Sequence, residues 1–222
     1  MNAPLLWRFV LAHVVADFPL QPDALIQAKR KFAGVVFHAA LFGIALAMVM
    51  GRYLEVTAVV FAVVGLTVFH GLVDWAKSLI TKKLGRESIY YFLGDQALHL
   101  ASLFVVAYLL RFRVIMPVPA YPPLAIGIVA VWAVPIIVEL ARSEFAGEEL
   151  EPHSALGAKR GKLGMLERAG FFAAGLGFGW FLFCLLVAVP RIIGWLKGKK
   201  VRLIPVSWAL AFGLGLAARF TI

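Results

Sequence analysis

The chain has 222 residues, 62% apolar, 15% charged and 13% aromatic, and carries a formal charge of +10 from 22 Lys and Arg against 12 Asp and Glu. Soluble domains hold about 45–50% apolar and about 25% charged residues, so this composition excludes a soluble fold and equally a disordered chain. The single cysteine, Cys184, excludes a disulfide scaffold, and an integral membrane protein remains.

A bilayer core takes about 20 apolar residues as a helix, and seven stretches approach that standard: 4–19, 33–50, 56–80, 91–110, 122–140, 166–189 and 204–220. The expected fold is therefore all-α, a polytopic transmembrane helical bundle of six or seven spans. Its expected organisation is a four-helix membrane domain over 1–112 and a C-terminal transmembrane region of two or three helices over 113–222. The first stretch is the shortest and ends in the breaker run Asp17-Phe-Pro-Leu-Gln-Pro. It is expected either to span with bilayer thinning or to enter as a re-entrant helix. Residues 1–7 carry no basic side chain and no small-x-small cleavage site follows, so the segment reads as retained rather than as a cleaved signal.

Cations gather in the short loops. Loop one holds Lys29, Arg30 and Lys31, loop three holds Lys82, Lys83 and Arg86, and loop five holds Arg142, Lys159, Arg160 and Lys162. Loop two has Arg52 alone, and loop four Arg111 and Arg113. Odd loops are therefore expected in the cytoplasm. The sixth loop, with Arg191, Lys197, Lys199, Lys200 and Arg202, opposes that assignment. This distribution fits topology signals and anionic headgroups. Membrane lipids are the expected partners, and nucleic acid is not.

Ionisable residues inside spans are costly and are functional candidates by default. Three pairs stand at i, i+4: His13 with Asp17, His70 with Asp74, and Asp95 with His99; His38 joins them from the second segment. That spacing puts both members of a pair on one helix face. At about 1.5 Å per residue, Asp17, His38, Asp74 and Asp95 all fall within roughly 10 Å of the membrane surface bearing loops one and three. Imidazole and carboxylate are the ligands of Zn²⁺, Fe²⁺ or Mn²⁺, and bundle sites are built from inward side chains of several helices. His13, His38, His70 and His99 are the candidate metal ligands, and Asp17, Asp74 and Asp95 the candidate catalytic carboxylates. Seven groups allow a dinuclear site or one metal with supporting residues; a buried hydrogen-bond network is the bland alternative. Gln21, Gln96 and Lys77 are candidate substrate contacts. For Lys77, snorkelling to the headgroups is the favoured reading over contact with a phosphate.

Other signals are weaker. Gly175-Leu-Gly-Phe-Gly179 reads as a small-residue packing face rather than a phosphate cradle. Glu139, Arg142, Glu167 and Arg168 are either helix-end ion pairs or an extension of the His/Asp layer. Glu148, Glu149, Glu151 and His153 read as loop residues, and Cys184 as a small hydrophobe.

The blocks His13-Val-Val-Ala-Asp17-Phe-Pro-Leu-Gln21, Phe37-His38, His70-Gly-Leu-Val-Asp74-Trp-Ala-Lys77 and Asp95-Gln-Ala-Leu-His99, in this order, resemble the domain of unknown function 3307 family of bacterial integral membrane proteins. The resemblance covers about half of the chain and implies architecture and site more than activity. It places the protein in the bacterial inner membrane as a multi-pass chain. The leading functional expectation is a metal-dependent hydrolase of a lipid or lipid-linked substrate, with a site near the cytoplasmic face. The alternatives are a proton or divalent-metal transporter or sensor, and a structural or assembly factor. Transport needs polar groups through the whole membrane depth, whereas 41–50 and 56–68 are almost wholly apolar.

Overall fold

The computed structural model describes residues 3–85, 87–114, 121–146, 162–177, 192–193, 196 and 204–221. Regular structure among them is entirely helical. The chain divides into two compact units, Met1–Tyr121 and Pro122–Ile222.

The first unit contains α1 (Ala3–Asp17), a short α2 (Asp23–Ala28), α3 (Phe32–Met50), a 3₁₀ turn (Gly51–Glu55), α4 (Thr57–Leu84) and α5 (Ile89–Leu109). Its boundaries follow from local chemistry. Pro19 and Pro22 cannot donate the N–H bonds that would continue α1. Helix α4 stops at Gly85, whose φ of 68° is left-handed and whose N–H returns to the Thr81 carbonyl. Lys82 and Lys83 stand in that last turn, where cations complement the helix dipole. Ser88 caps α5 by accepting from the Tyr90 N–H at 3.3 Å.

Leu5, Phe9, Ala12, Ala16, Phe42, Leu46, Met50, Val59, Leu66, Leu103 and Ala107 form one apolar core between α1, α3, α4 and α5. The outward faces are also apolar: Met48 is 77% exposed, Phe61 73% and Leu109 67%. A soluble surface does not tolerate so broad an apolar exterior, but lipid does. Sequence charge inside α1 is handled locally. Arg8 donates through Nη1 to the Val49 carbonyl at 2.6 Å, one of the acceptors that the C-terminal turn of α3 leaves without a helical partner. Its guanidinium also stands over the Tyr53 ring at 5.5 Å.

The second unit contains α6 (Tyr121–Ile128, from its second residue), a π-helical turn (Val129–Ala133), α7 (Val134–Ala146), α8 (Lys162–Gly175) and α9 (Ile204–Arg219). Gly175 and Gly215 set the crossing of α8 and α9: a Cβ at Gly175 would strike the Phe212 carbonyl, and one at Gly215 the Phe172 carbonyl. Gly175 thus has the packing role read from the sequence, while Gly179, His153, Cys184 and the Glu148, Glu149, Glu151 loop lie outside the described residues.

Four helical stretches are long and apolar enough to cross a membrane: Phe32–Glu55, Thr57–Leu84, Ile89–Leu109 and Tyr121–Phe145. Among the described residues the count is thus four, and the expected six or seven spans and the re-entrant first segment go beyond it. Helix α1 has 15 residues, or about 22 Å at 1.5 Å per residue, short of a bilayer core of about 30 Å. Helix α9 has 16, and the expected stretch 166–189 is described only to residue 177.

Candidate metal centre

Helix α1 supplies His13 and Asp17, α3 His38, α4 His70 and Asp74, and α5 Asp95 and His99; none is more than 7% exposed. The i, i+4 pairs do face one interior. His70 lies at its middle, with ring centroids 5.7 Å from His13, 5.1 Å from His38 and 4.2 Å from His99. Phe42 closes the side toward the apolar core, stacked on His70 at 4.3 Å and edge-on to His13 at 6.1 Å.

Four atoms come closest together. Asp17 Oδ1 lies 3.3 Å from His38 Nε2 and 3.4 Å from His70 Nε2. Asp74 Oδ2 lies 3.4 Å and 3.5 Å from the same two nitrogens, which are 3.1 Å apart. Zn²⁺ binds imidazole nitrogen and carboxylate oxygen at about 2.0–2.1 Å in a tetrahedron, whose edges are then about 3.3–3.4 Å. The five distances among these atoms, 3.1–3.5 Å, lie near that length. Two carboxylate oxygens and two ring nitrogens in such proximity need a cation or protons between them, since the carboxylates only accept and each neutral imidazole has a single N–H. The residues therefore fit a divalent metal. Three overlapping groups have donor atoms mutually within 4.8 Å: His13, Asp17 and His70; His38, His70 and Asp74; and Asp74, Asp95 and His99.

Gln96 orders the surrounding hydrogen bonds. Its Nε2 donates to Asp17 Oδ2 and Asp95 Oδ2, each at 3.2 Å. Its Oε1 then accepts from His13 Nε2 at 3.2 Å. This fixes the proton of neutral His13 on Nε2 and leaves a lone pair on Nδ1, which lies 3.7 Å from Asp17 Oδ1. Both atoms are buried without a hydrogen bond.

Two ammonium groups pair with carboxylates of the cluster, Asp95 and Asp74. Lys77 does not snorkel away from the layer as expected; its Nζ pairs with Asp95 Oδ2 at 2.9 Å and stands 5.4 Å from the Phe92 centroid. A buried carboxylate one turn from the helix surface attracts it more strongly than the interface does. Lys29 pairs with Asp74 Oδ2 at 2.9 Å and donates to Gln21 Oε1 at 3.4 Å. Gln21 thus meets the cluster through Lys29. The lysines, at 16% and 25% side-chain exposure, are more accessible than any of the seven His and Asp residues.

Sequence reasoning counted Lys29 only as a topology charge. Helix α2 carries it inward, because Gly34 of α3 lets the Ala28 carbonyl approach where any Cβ would collide with it. A lysine five residues before a glycine at the start of an apolar helix was the available signal. Phe42 was also missed, since one aromatic in an apolar run carries none.

Glu167 and Arg168 have partners inside the second unit. Arg168 Nε donates to the Val131 carbonyl of the π-helical turn at 2.8 Å, and Trp208 Nε1 donates to Glu167 Oε2 at 3.3 Å. Glu139 and Arg142 belong to α7 of the same unit.

Residues 5–121 match the family described as "Protein of unknown function (DUF3307)", a stretch that holds all seven His and Asp residues of the cluster. No curated protein and no solved structure matches the chain.

Proposed function

The chain belongs to the DUF3307 family, and from that premise we propose a membrane-embedded, metal-dependent hydrolase acting on a lipid or lipid-linked substrate at the cytoplasmic face of the bacterial inner membrane. The observation that carries this reading is the convergence of Asp17 Oδ1 and Asp74 Oδ2 on His38 Nε2 and His70 Nε2 at 3.3–3.5 Å, with the two nitrogens 3.1 Å apart. In this reading Asp17, His38, His70 and Asp74 hold the metal. A bound divalent ion supplies Lewis acidity, polarising an ester or phosphoester oxygen and making water acidic near neutral pH.

The protein's own groups do the rest. His13, its Nε2 proton committed to Gln96, accepts a proton from attacking water at Nδ1, and Asp17 beside it stabilises the resulting imidazolium. Gln96 keeps that tautomer in place. Lys29 and Lys77, the exposed edge of the cluster, meet an anionic headgroup, with Gln21 orienting Lys29. Acyl chains stay in lipid against the apolar outer faces of α3, α4 and α5.

Transport is the weaker reading because Phe42, Phe9, Leu46, Leu66 and Leu103 are buried in one continuous apolar core. A proton or ion pathway needs polar groups at those depths. The test is hydrolysis by purified protein in mixed micelles. Metal-dependent release of product from lipid esters or phosphoesters, lost in His70→Ala, supports the proposal. Metal-dependent ion flux in proteoliposomes without turnover contradicts it.

A further inference from the structure

The set proposed above uses one oxygen of Asp74. The other, Oδ1, points to a different pair of donors. It lies 4.0 Å from His99 Nε2, which in turn lies 3.4 Å from Asp95 Oδ1. Asp74, Asp95 and His99 offer donor atoms within 4.8 Å of one another. His99 Nε2 and Asp95 Oδ1 are both buried without a hydrogen bond, although their residues are only 1% and 5% exposed. A buried carboxylate oxygen facing a buried ring nitrogen is costly unless a proton or a cation lies between them.

We propose that the centre binds two divalent cations bridged by the Asp74 carboxylate, the second held by Asp74 Oδ1, Asp95 Oδ1 and His99 Nε2. This rests on the metal-centre reading of Asp17, His38, His70 and Asp74 and extends it. The 3.4 Å separation of Asp95 and His99 has the length of a tetrahedral edge. The wider 4.0 Å gap to Asp74 suits an ion with more ligands and space for solvent among them. A carboxylate that bridges through its two oxygens holds ions at the roughly 3.5–4 Å spacing of two-metal hydrolytic sites.

The surroundings of each donor agree with this division. Asp95 gives its other oxygen, Oδ2, to Lys77 and Gln96, so Oδ1 is left for an ion. Asp17 likewise gives Oδ2 to Gln96 and keeps Oδ1 for the first position. Asp17 and Asp95 thus each have one oxygen committed to the protein and one toward the interior, whereas Asp74 turns Oδ2 to the first position and to Lys29 and Oδ1 to the second.

Charge then selects the ligand that completes the centre. Three carboxylates and two ammonium groups with neutral imidazoles sum to one negative charge, and two divalent ions turn that into three positive charges. A buried site of that sign recruits an anion that spans both ions, and a phosphoester is the substrate class with the oxygens to do so. Lys29 and Lys77 add to the attraction at the exposed edge.

The test is Mn²⁺ loading of the full chain in detergent, with elemental analysis and electron paramagnetic resonance. Two Mn²⁺ per chain with an exchange-coupled spectrum is the expected result. His99→Ala and Asp95→Asn should each halve the stoichiometry and leave the spectrum of an isolated ion. One uncoupled Mn²⁺ per wild-type chain overturns the second position while leaving the first intact, and no bound Mn²⁺, Zn²⁺ or Fe²⁺ overturns both. Because stoichiometry and coupling are read on the wild type, the outcome does not depend on the variants folding.

Discussion

His38 Nε2 and His70 Nε2 approach to 3.1 Å from two different helices, α3 and α4. Two neutral imidazoles can share at most one proton along that line, and carboxylate oxygens of Asp17 and Asp74 flank the pair at 3.3–3.5 Å. Such crowding is stable where a cation is shared. The pair also fixes the register of α3 against α4, because a one-residue shift would turn either ring about 100° away.

His70→Ala should remove the metal of the first position and its stabilising effect while the helices remain folded. The apolar core beyond Phe42 persists in the variant, so the far-ultraviolet circular dichroism should match wild type. Added Zn²⁺ should raise the melting temperature of wild type, by mass action on the folded state, and leave that of the variant unchanged.

Lys29→Gln should strengthen metal binding. The ammonium sits 2.9 Å from Asp74 Oδ2, so it competes with a divalent ion for the same oxygen and repels it. Replacing it by a neutral side chain should lower the metal Kd by on the order of tenfold, given Coulomb terms of about 1–4 kcal/mol for unit charges at such range. Isothermal titration with Zn²⁺ in competition with a chelator measures it, and the variant without metal should melt earlier than metal-free wild type.

Gly34→Ala should act on the centre from outside it. A methyl group at Gly34 would collide with the Ala28 carbonyl, pushing α2 and Lys29 away from α3. The expected cost is about 1–3 kcal/mol, the range for an overpacked contact, measured by thermal or denaturant unfolding in detergent. Metal affinity should shift in the same direction as in Lys29→Gln, because the Lys29–Asp74 pair loosens.

Much of the centre was legible in the sequence because its seven His and Asp residues interrupt apolar runs at helical spacing, and a charged group in such a run must face inward. Helix phase carried the rest: His13 with Asp17 and His70 with Asp74 could only share a face. The oxygen of Asp74 that each partner would take was not legible, since it depends on a side-chain torsion. Nor was the inward turn of Lys29 and Lys77, where ion pairing with buried carboxylates overrides the usual preference of lysine for the interface. Helix α2 was hidden for a similar reason: six residues after a proline carry too little periodicity to stand out in a loop. Span number was the least legible feature, because α1, with 15 residues, is apolar enough for a span but shorter than the thickness of a bilayer core.

Orientation is open to direct measurement. Loops one and three carry Lys29, Arg30, Lys31, Lys82, Lys83 and Arg86 against Arg52 in loop two, from which the excess of cations in cytoplasmic loops predicts a centre at the cytoplasmic face. Arg30 and Lys83 are exposed. With Cys184 replaced by serine, Arg30→Cys and Lys83→Cys should resist an impermeant thiol reagent in intact cells and react after permeabilisation. Labelling of both in intact cells would reverse the orientation.

The most direct measurement is the metal content of the full chain purified without chelator, set beside that of His38→Ala. Stoichiometric Zn, Mn or Fe in wild type and its loss from a folded His38→Ala protein is the predicted result. Wild type that carries no metal, and whose melting temperature does not respond to Zn²⁺, Mn²⁺ or Fe²⁺, would contradict a metal centre and leave the His/Asp cluster as a network that holds four helices together.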